Sequence, residues 1–144
     1  MRTKDFVAKL EHERIVEAIA AAEKTTSGEI RVFVQRGEIA DPVAAAREQF
    51  EKLGMTATGE RNGVLIFVAP RSQKYAVIGD AGIHQRVEAE YWQGLVEGMR
   101  KHFRAAHFTD AVLEAIAQTG VLLSQHFPRR PGDRNELPNT VEEG

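Results

Sequence analysis

The amino-acid sequence predicts one α/β domain: a central mixed β-sheet with helices on both faces, in the order α-β-α-β-β-α-α. Two segments rich in β-branched residues are separated by a helical pattern, which favours a parallel pair of strands. A third such segment follows the second after about four residues, a gap that favours an antiparallel hairpin. The chain has 144 residues, 42% of them hydrophobic, which is enough for one buried core.

The first part of the chain predicts a helix followed by a strand. Apolar residues recur at helical spacing over residues 6–24, with Glu and Lys on the opposite face. Thr25-Thr26-Ser27-Gly28 ends this pattern, because glycine suits the turn that follows a helix. Residues 29–35 then alternate between apolar and polar side chains, which is typical of a strand.

A second helix and a hairpin are predicted next. Asp41 and Pro42 are typical of a helix start, and the helix over residues 43–53 ends at a glycine. Residues 63–69 form an apolar run without alternation, which indicates a central strand that is buried on both faces. A short loop then leads to a third strand over residues 74–79.

Two further helices, over residues 84–103 and 109–126, complete the predicted domain, because apolar residues recur in both at near-helical spacing. We therefore expect a single domain over residues 1–127. Residues 128–144 are rich in Pro, Arg, Asn and Glu, which predicts a mobile or surface-draped tail.

Composition and charge exclude several classes of protein. Because the chain has no cysteine, it has no disulfide, thiolate zinc site or cysteine nucleophile. Its net charge of −2 argues against broad binding to nucleic acid, although a local basic patch is compatible with that sum. The charged N-terminal segment lacks the apolar run of a signal peptide, and no run approaches the ~20 apolar residues that cross a bilayer. We expect a cytoplasmic protein without membrane insertion.

Strand direction predicts where polar residues meet. With the first two strands parallel and the third antiparallel, the starts of strands one and two and the end of strand three lie at one edge of the sheet. The residues at these points are Ser27-Gly28-Glu29, Arg61-Asn62 and Asp80, with Glu60 and His84 beside them. We call this cluster the loop edge.

The loop edge is a candidate metal site, because Ca²⁺ and Mg²⁺ prefer carboxylate, amide and carbonyl oxygens. The candidate ligands are Asp80, Glu29, Glu60 and Asn62, with Asp80 ranked first. The candidates for support of these ligands or for contact with an anion are Arg61, His84 and Ser27. The alternative interpretation is structural: Glu29 pairs with Arg61, and Asp80 caps the helix that follows it.

Other kinds of site have weak support. The histidines match no zinc-binding spacing. The segment that starts at Asp80 is not an EF-hand loop, because Tyr91 stands where glutamate is required. Ser27 lies outside any Gly-x-Ser-x-Gly motif, and spacing assigns no general base to it.

Several motifs, taken in order, resemble the TPM domain, a family named for thylakoid-lumen, photosystem-associated and acetylcholine-receptor-modulating proteins. The resemblance extends through nearly the whole chain. It rests on Thr26-Ser-Gly-Glu-Ile-Arg-Val32, Phe50-x-x-Leu-Gly-Met55, Arg61-Asn-Gly-Val-Leu-Ile-Phe-Val-Ala69, Lys74-Tyr-Ala-Val-Ile-Gly-Asp-x-Gly-Ile-His84, Trp92, Met99 with Phe103, Phe127-Pro128 and Asp133-x-Asn-Glu-Leu-Pro-Asn139.

The resemblance implies a mixed sheet between helices, divalent-cation binding at the strand-edge loops, weak acid phosphatase activity, and roles in the repair or assembly of membrane complexes. Many members carry a signal peptide and a membrane helix, whereas this chain resembles a stand-alone soluble bacterial form. Carried over to this sequence, the family's site falls on Glu29, residues 60–62 and residues 80–84, and Asp80 is its best single candidate.

Three functional hypotheses follow. The leading one is a non-enzymatic module that binds Ca²⁺ or Mg²⁺ at the loop edge, with a protein partner that the sequence does not identify. The second is a metal-assisted phosphatase, with Arg61 stabilising charge on the transferred phosphoryl group and Asp80 as a metal ligand. The third is a protein-interaction or membrane-complex assembly module without a ligand, in which the loop edge consists of capping and ion pairing.

Overall fold

The computed structural model describes residues 2–129 and 141–143. Its helices are α1 (Thr3–Lys9), α2 (His12–Glu23), α3 (Pro42–Lys52), α4 (Ala81–His84), α5 (Ala89–Arg104) and α6 (Phe108–His126). Its strands are β1 (Glu29–Val34), β2 (Gly63–Ala69), β3 (Lys74–Gly79) and β4 (Val141–Glu143). Two 3₁₀ helices, Met55–Ala57 and Pro70–Ser72, lie before and after β2.

The described strands form one mixed sheet in the order β3-β2-β1-β4. β1 pairs in parallel with β2, and Glu29 lies opposite Gly63. β2 pairs antiparallel with β3, and Val64 lies opposite Gly79. The predicted parallel crossover and the predicted hairpin are therefore both confirmed.

Helices cover both faces of the sheet, as predicted. Ile30, Val32 and Val34 of β1 belong to the larger apolar cluster, which also contains residues of α1, α2, α5 and α6. Phe33 of the same strand belongs to a smaller cluster with residues of α3. Every residue of β2 is buried, which explains why its sequence is apolar without alternation.

The predicted helix over residues 6–24 is in fact two helices. The chain becomes extended at Leu10, whose side chain is buried, so α1 ends there. The backbone N–H of Glu11 then donates to Thr109 Oγ1 at 3.1 Å instead of continuing a helix. A contact 98 residues away in sequence thus separates α1 from α2.

The predicted helix over residues 84–103 also differs from the structure. The short helix α4 ends at His84, and α5 begins at Ala89 after an extended Glu88. Between them, the guanidinium group of Arg86 lies over the ring of Phe127, 4.4 Å from its centroid, and Nη1 donates to the His126 carbonyl at 2.9 Å. The turn between the helices thus packs against the end of α6.

Of the predicted tail, residues 130–140 and residue 144 lie outside the described residues. Before that gap, Pro128 forms an isolated bridge with Thr26, and Arg129 Nη1 donates to the carbonyl of Glu23 at 2.9 Å. After the gap, β4 pairs in parallel with β1, with Val141 opposite Val32. Within the described part of the chain, no helix is both long enough and apolar enough to cross a membrane.

Candidate functional site

Strand register brings three separate segments to the loop edge. β1 and β2 start side by side, and β3 ends beside the start of β2. The backbone N–H of Asp80 donates to the carbonyl of Gly63 at 2.9 Å, which holds the end of β3 against the start of β2.

Arg61 and Asp80 form an ion pair with two hydrogen bonds at the loop edge. Arg61 Nε donates to Asp80 Oδ2 at 2.7 Å, and Nη2 donates to Oδ1 at 2.9 Å. The carboxylate side chain is 5% exposed, whereas the guanidinium side chain is 50% exposed. These hydrogen bonds and the negative charge of Asp80 raise the pKa of Arg61. The Asp80 carboxylate is therefore already paired with a positive group of the protein, the Arg61 guanidinium.

Asp80 also begins the next helix. Its Oδ1 accepts from the backbone N–H of Ala81 at 2.7 Å, which caps α4 as the structural interpretation expects. The other half of that interpretation is wrong, because Arg61 pairs with Asp80 and not with Glu29. Two separate groups of the protein therefore bind the Asp80 carboxylate.

Close backbone packing holds the loop over residues 58–62 against α4. The N–H of Gly82 donates to the carbonyl of Arg61 at 2.9 Å. A Cβ atom on Gly82 would lie 2.3 Å from the Glu60 carbonyl oxygen and 2.7 Å from that of Arg61. Arg61 itself has φ of +53°, a left-handed conformation that is uncommon for a residue with a side chain. This packing explains why Arg61 is brought to Asp80.

Ser27, Glu60 and Asn62 form a second network at the loop edge. Asn62 Nδ2 donates to Ser27 Oγ at 3.2 Å, and Ser27 Oγ donates to Glu60 Oε1 at 3.2 Å. Asn62 is buried, and its backbone N–H donates to Thr58 Oγ1 at 3.2 Å. Hydroxyl, amide and carboxylate groups from two segments thus meet as the sequence predicts.

Glu29 faces a partner that the sequence analysis does not identify. Its carboxyl group is hydrogen-bonded to that of Glu23, at the end of α2, and both residues are at least nine-tenths buried. Glu23 Oε2 also accepts from the backbone N–H of Ile30 at 2.8 Å. Burial, then the hydrogen bond with Glu29, raises the pKa of Glu23 from 4.5 to about 9, against smaller lowering effects of the Ile30 N–H and then of the Arg129 charge.

His84 lies at the end of α4, where its backbone N–H donates to the carbonyl of Asp80 at 3.2 Å. Its side chain is exposed. Within residues 2–129 and 141–143, no three His, Asp or Glu side chains are grouped closely enough to hold a metal in this conformation. A cation at the loop edge would therefore use amide, hydroxyl or backbone oxygens in addition to carboxylates.

Two features of the site are missed by the sequence analysis. Glu23 is not among the predicted site residues; its burial and its hydrogen bond with Glu29 identify it as the partner of that residue. Gly82 is likewise given no role of its own by the sequence, although its lack of a side chain admits the carbonyl groups of Glu60 and Arg61. The spacing Asp80-x-Gly82 after a strand is the one local signal for that contact.

Comparison with known proteins agrees with this fold. The family model described as the TPM domain matches residues 2–121. The NMR structure of BA42 protein from the psychrophilic bacterium Bizionia argentinensis is similar, with 36% sequence identity and a TM-score of 0.85. The alignment covers 93% of this chain and 92% of that one. A comparison with curated proteins gives no significant match.

Proposed function

The chain belongs to the TPM domain family, and we propose that its loop edge binds a divalent cation, Ca²⁺ or Mg²⁺, without catalysis. The observation that carries this proposal is the pairing of a buried Asp80 carboxylate with an exposed guanidinium group. That carboxylate needs a positive partner, and the partner that it has can move into solvent.

The energetics favour an exchange of Arg61 for a cation. The Arg61 side chain is half exposed, so water can solvate its charge when it leaves the carboxylate. Removing the positive partner of a largely buried carboxylate is costly unless another positive charge replaces it. A divalent cation that binds Asp80 releases Arg61 and keeps the carboxylate compensated.

The proposed ligands are oxygens of Asp80, Glu60 and Asn62, which suit a hard cation. Ser27 lies between Glu60 and Asn62 and supports both side chains. The metal ion displaces the Arg61 guanidinium group from the Asp80 carboxylate. His84 lies beside the site. Glu29 is the candidate ligand that this geometry favours least, since its carboxyl group is hydrogen-bonded to Glu23.

Calorimetric titration with CaCl₂ and MgCl₂ tests the proposal. Asp80→Asn should weaken binding by at least about tenfold, because a hard cation loses a charged ligand while the cap of α4 is kept. Asp41→Asn is the matched control: Asp41 caps α3 by accepting from the backbone N–H groups of Val43 and Ala44, away from the loop edge. Equal losses in the two variants, or no binding by the unmodified protein, would contradict the proposal.

A metal-assisted phosphatase is the second candidate, and the hydrogen bond from Ser27 Oγ to Glu60 Oε1 favours it. A carboxylate that accepts from a hydroxyl group can serve as its general base. Hydrolysis of a generic phosphate ester should then be lost in both Ser27→Ala and Glu60→Gln and persist in Ser124→Ala. Activity that survives both loop-edge substitutions would exclude this function.

A ligand-free interaction module is the third candidate, favoured by the two protein groups that already bind Asp80. It predicts that Ca²⁺ and Mg²⁺ leave the melting temperature unchanged, whereas any ligand of the native state must raise it. A thermal-shift series with Ca²⁺, Mg²⁺ and EDTA separates this candidate from the cation-binding proposal.

A further inference from the structure

A basic cavity lies away from the loop edge, beyond the end of β1. Its volume is about 510 Å³, within the size range of small-molecule sites. Its lining contains four cationic side chains from three segments: Arg2 and Lys4 at α1, Arg36 after β1, and Arg71 in the second 3₁₀ helix. We call this the basic cavity.

Local contacts keep the three segments together. Thr3 Oγ1 donates to the carbonyl of Gln35 at 3.2 Å and joins α1 to the end of β1. The backbone N–H of Ile39 donates to Ser72 Oγ at 2.9 Å and joins the following loop to the 3₁₀ helix. The positions of the cations are therefore set by tertiary structure and not by one charged run of sequence.

The basic cavity is positively charged, whereas the chain as a whole has a small net negative charge. Lys and Arg number 19 against 21 Asp and Glu, yet no carboxylate lines the basic cavity among the described residues. Another surface cavity mixes both signs, with Lys9 and Arg14 beside Glu11 and Asp110. The acidic partner of Arg71 is weak: Arg71 Nη2 lies 3.8 Å from Glu38 Oε1, and the Glu38 side chain is 76% exposed.

The geometry points to a binding site for a phosphate-bearing anion in the basic cavity. Arginine presents several N–H groups in one plane and binds phosphate oxygens in pairs, while lysine supplies a point charge. Thr3 and Val7 also line the cavity. Two sources supply such a phosphate: a phosphorylated small molecule in solution and a lipid headgroup.

Inorganic pyrophosphate is the probe for the free form, and calorimetry at low and high ionic strength is the measurement. Binding should weaken with salt, because exposed charges are screened. Lys4→Ala/Arg71→Ala should reduce the affinity by at least about tenfold, since two charge-assisted contacts are lost. The matched control, Arg47→Ala/Lys52→Ala, removes the same charge from α3 and should change the affinity by less than about twofold.

Co-sedimentation with phosphatidylcholine vesicles, with and without phosphatidic acid, is the second arm. If only pyrophosphate binds, the ligand is a soluble phosphate compound. If only vesicles with phosphatidic acid bind, the ligand is a lipid headgroup. Either result supports the site, provided that the Lys4→Ala/Arg71→Ala variant loses the binding. No binding in either arm would overturn the inference. An equal loss in the α3 control would also overturn it, because the effect would then reflect total charge.

Discussion

Arg61 donates two hydrogen bonds to the Asp80 carboxylate, from Nε to Oδ2 at 2.7 Å and from Nη2 to Oδ1 at 2.9 Å. The proposed cation and this guanidinium group compete for the same oxygens. Arg61→Ala should therefore raise the affinity for Ca²⁺ by about two- to fivefold, because a half-exposed guanidinium group no longer competes for the carboxylate. Calorimetry checks this, with Arg47→Ala as a control that removes an exposed arginine from α3. A lower affinity in Arg61→Ala would show that Arg61 supports the cation and is not displaced by it.

Gly82 predicts a stability effect that depends on backbone packing. In Gly82→Ala, the new methyl group meets the carbonyl oxygens of Glu60 and Arg61 at 2.3 and 2.7 Å. Backbone atoms cannot rotate away as a side-chain end does, so we expect a loss of about 1–3 kcal/mol in the free energy of unfolding. Denaturant unfolding measures the loss.

Gly94 is the matched control for that substitution. It lies inside α5, and a Cβ atom there has no neighbour within 4 Å. Gly94→Ala should therefore stabilise the protein by roughly 0.5–1 kcal/mol through the helix propensity of alanine. If the two variants have the same stability, the contact between residues 60–62 and α4 is not as tight as described.

The carboxyl pair of Glu23 and Glu29 predicts a pH dependence of stability. The pKa of Glu23 is raised from 4.5 to about 9, so between these values the folded state binds a proton that the unfolded state releases. The contribution of this group is complete below pH 4.5 and is lost as pH rises towards 9. For one proton, the slope is at most about 1.4 kcal/mol per pH unit.

Glu23→Gln removes this titration. The glutamine amide can still accept from the N–H of Ile30, and its NH₂ group can donate to Glu29. The variant should be more stable than the unmodified protein at pH 8 and should show a smaller decline above pH 5. Chemical unfolding across pH measures both effects. Glu13→Gln, at an exposed position of the same helix, should leave the profile unchanged; an unchanged profile in Glu23→Gln would contradict the pairing.

The sheet could be predicted because its signals are local. The β2 run over residues 63–69 is apolar without alternation, and the short gap before β3 permits a hairpin. Those two facts, with the helix between β1 and β2, suffice to bring Ser27, Arg61 and Asp80 to one edge. The directions of the three strands thus predict the position of the loop edge, and the structure confirms that these segments meet there.

The partners within the loop edge could not be predicted in the same way. Whether Arg61 binds Glu29 or Asp80 depends on the loop conformation, which is determined by backbone contacts at Gly82 and a left-handed φ. The break after Leu10 depends on Thr109, and the burial of Glu23 depends on the strand beside it. Each of these features depends on a contact between segments that are distant in sequence, and such contacts produce no repeating pattern of apolar and polar residues.

The most direct test of the central claim is an NMR titration with Ca²⁺ that follows the side-chain Nε–H of Arg61 together with the backbone amides of residues 58–62 and 80–82. If Ca²⁺ displaces Arg61, the Nε–H resonance should move from its hydrogen-bonded position towards that of a free arginine, and the loop amides should shift over the same range of Ca²⁺ concentration. In Asp80→Asn, these shifts should require at least about tenfold more Ca²⁺. If millimolar Ca²⁺ leaves the Arg61 resonance and the loop amides unchanged, the loop edge is a structural ion pair and not a cation site.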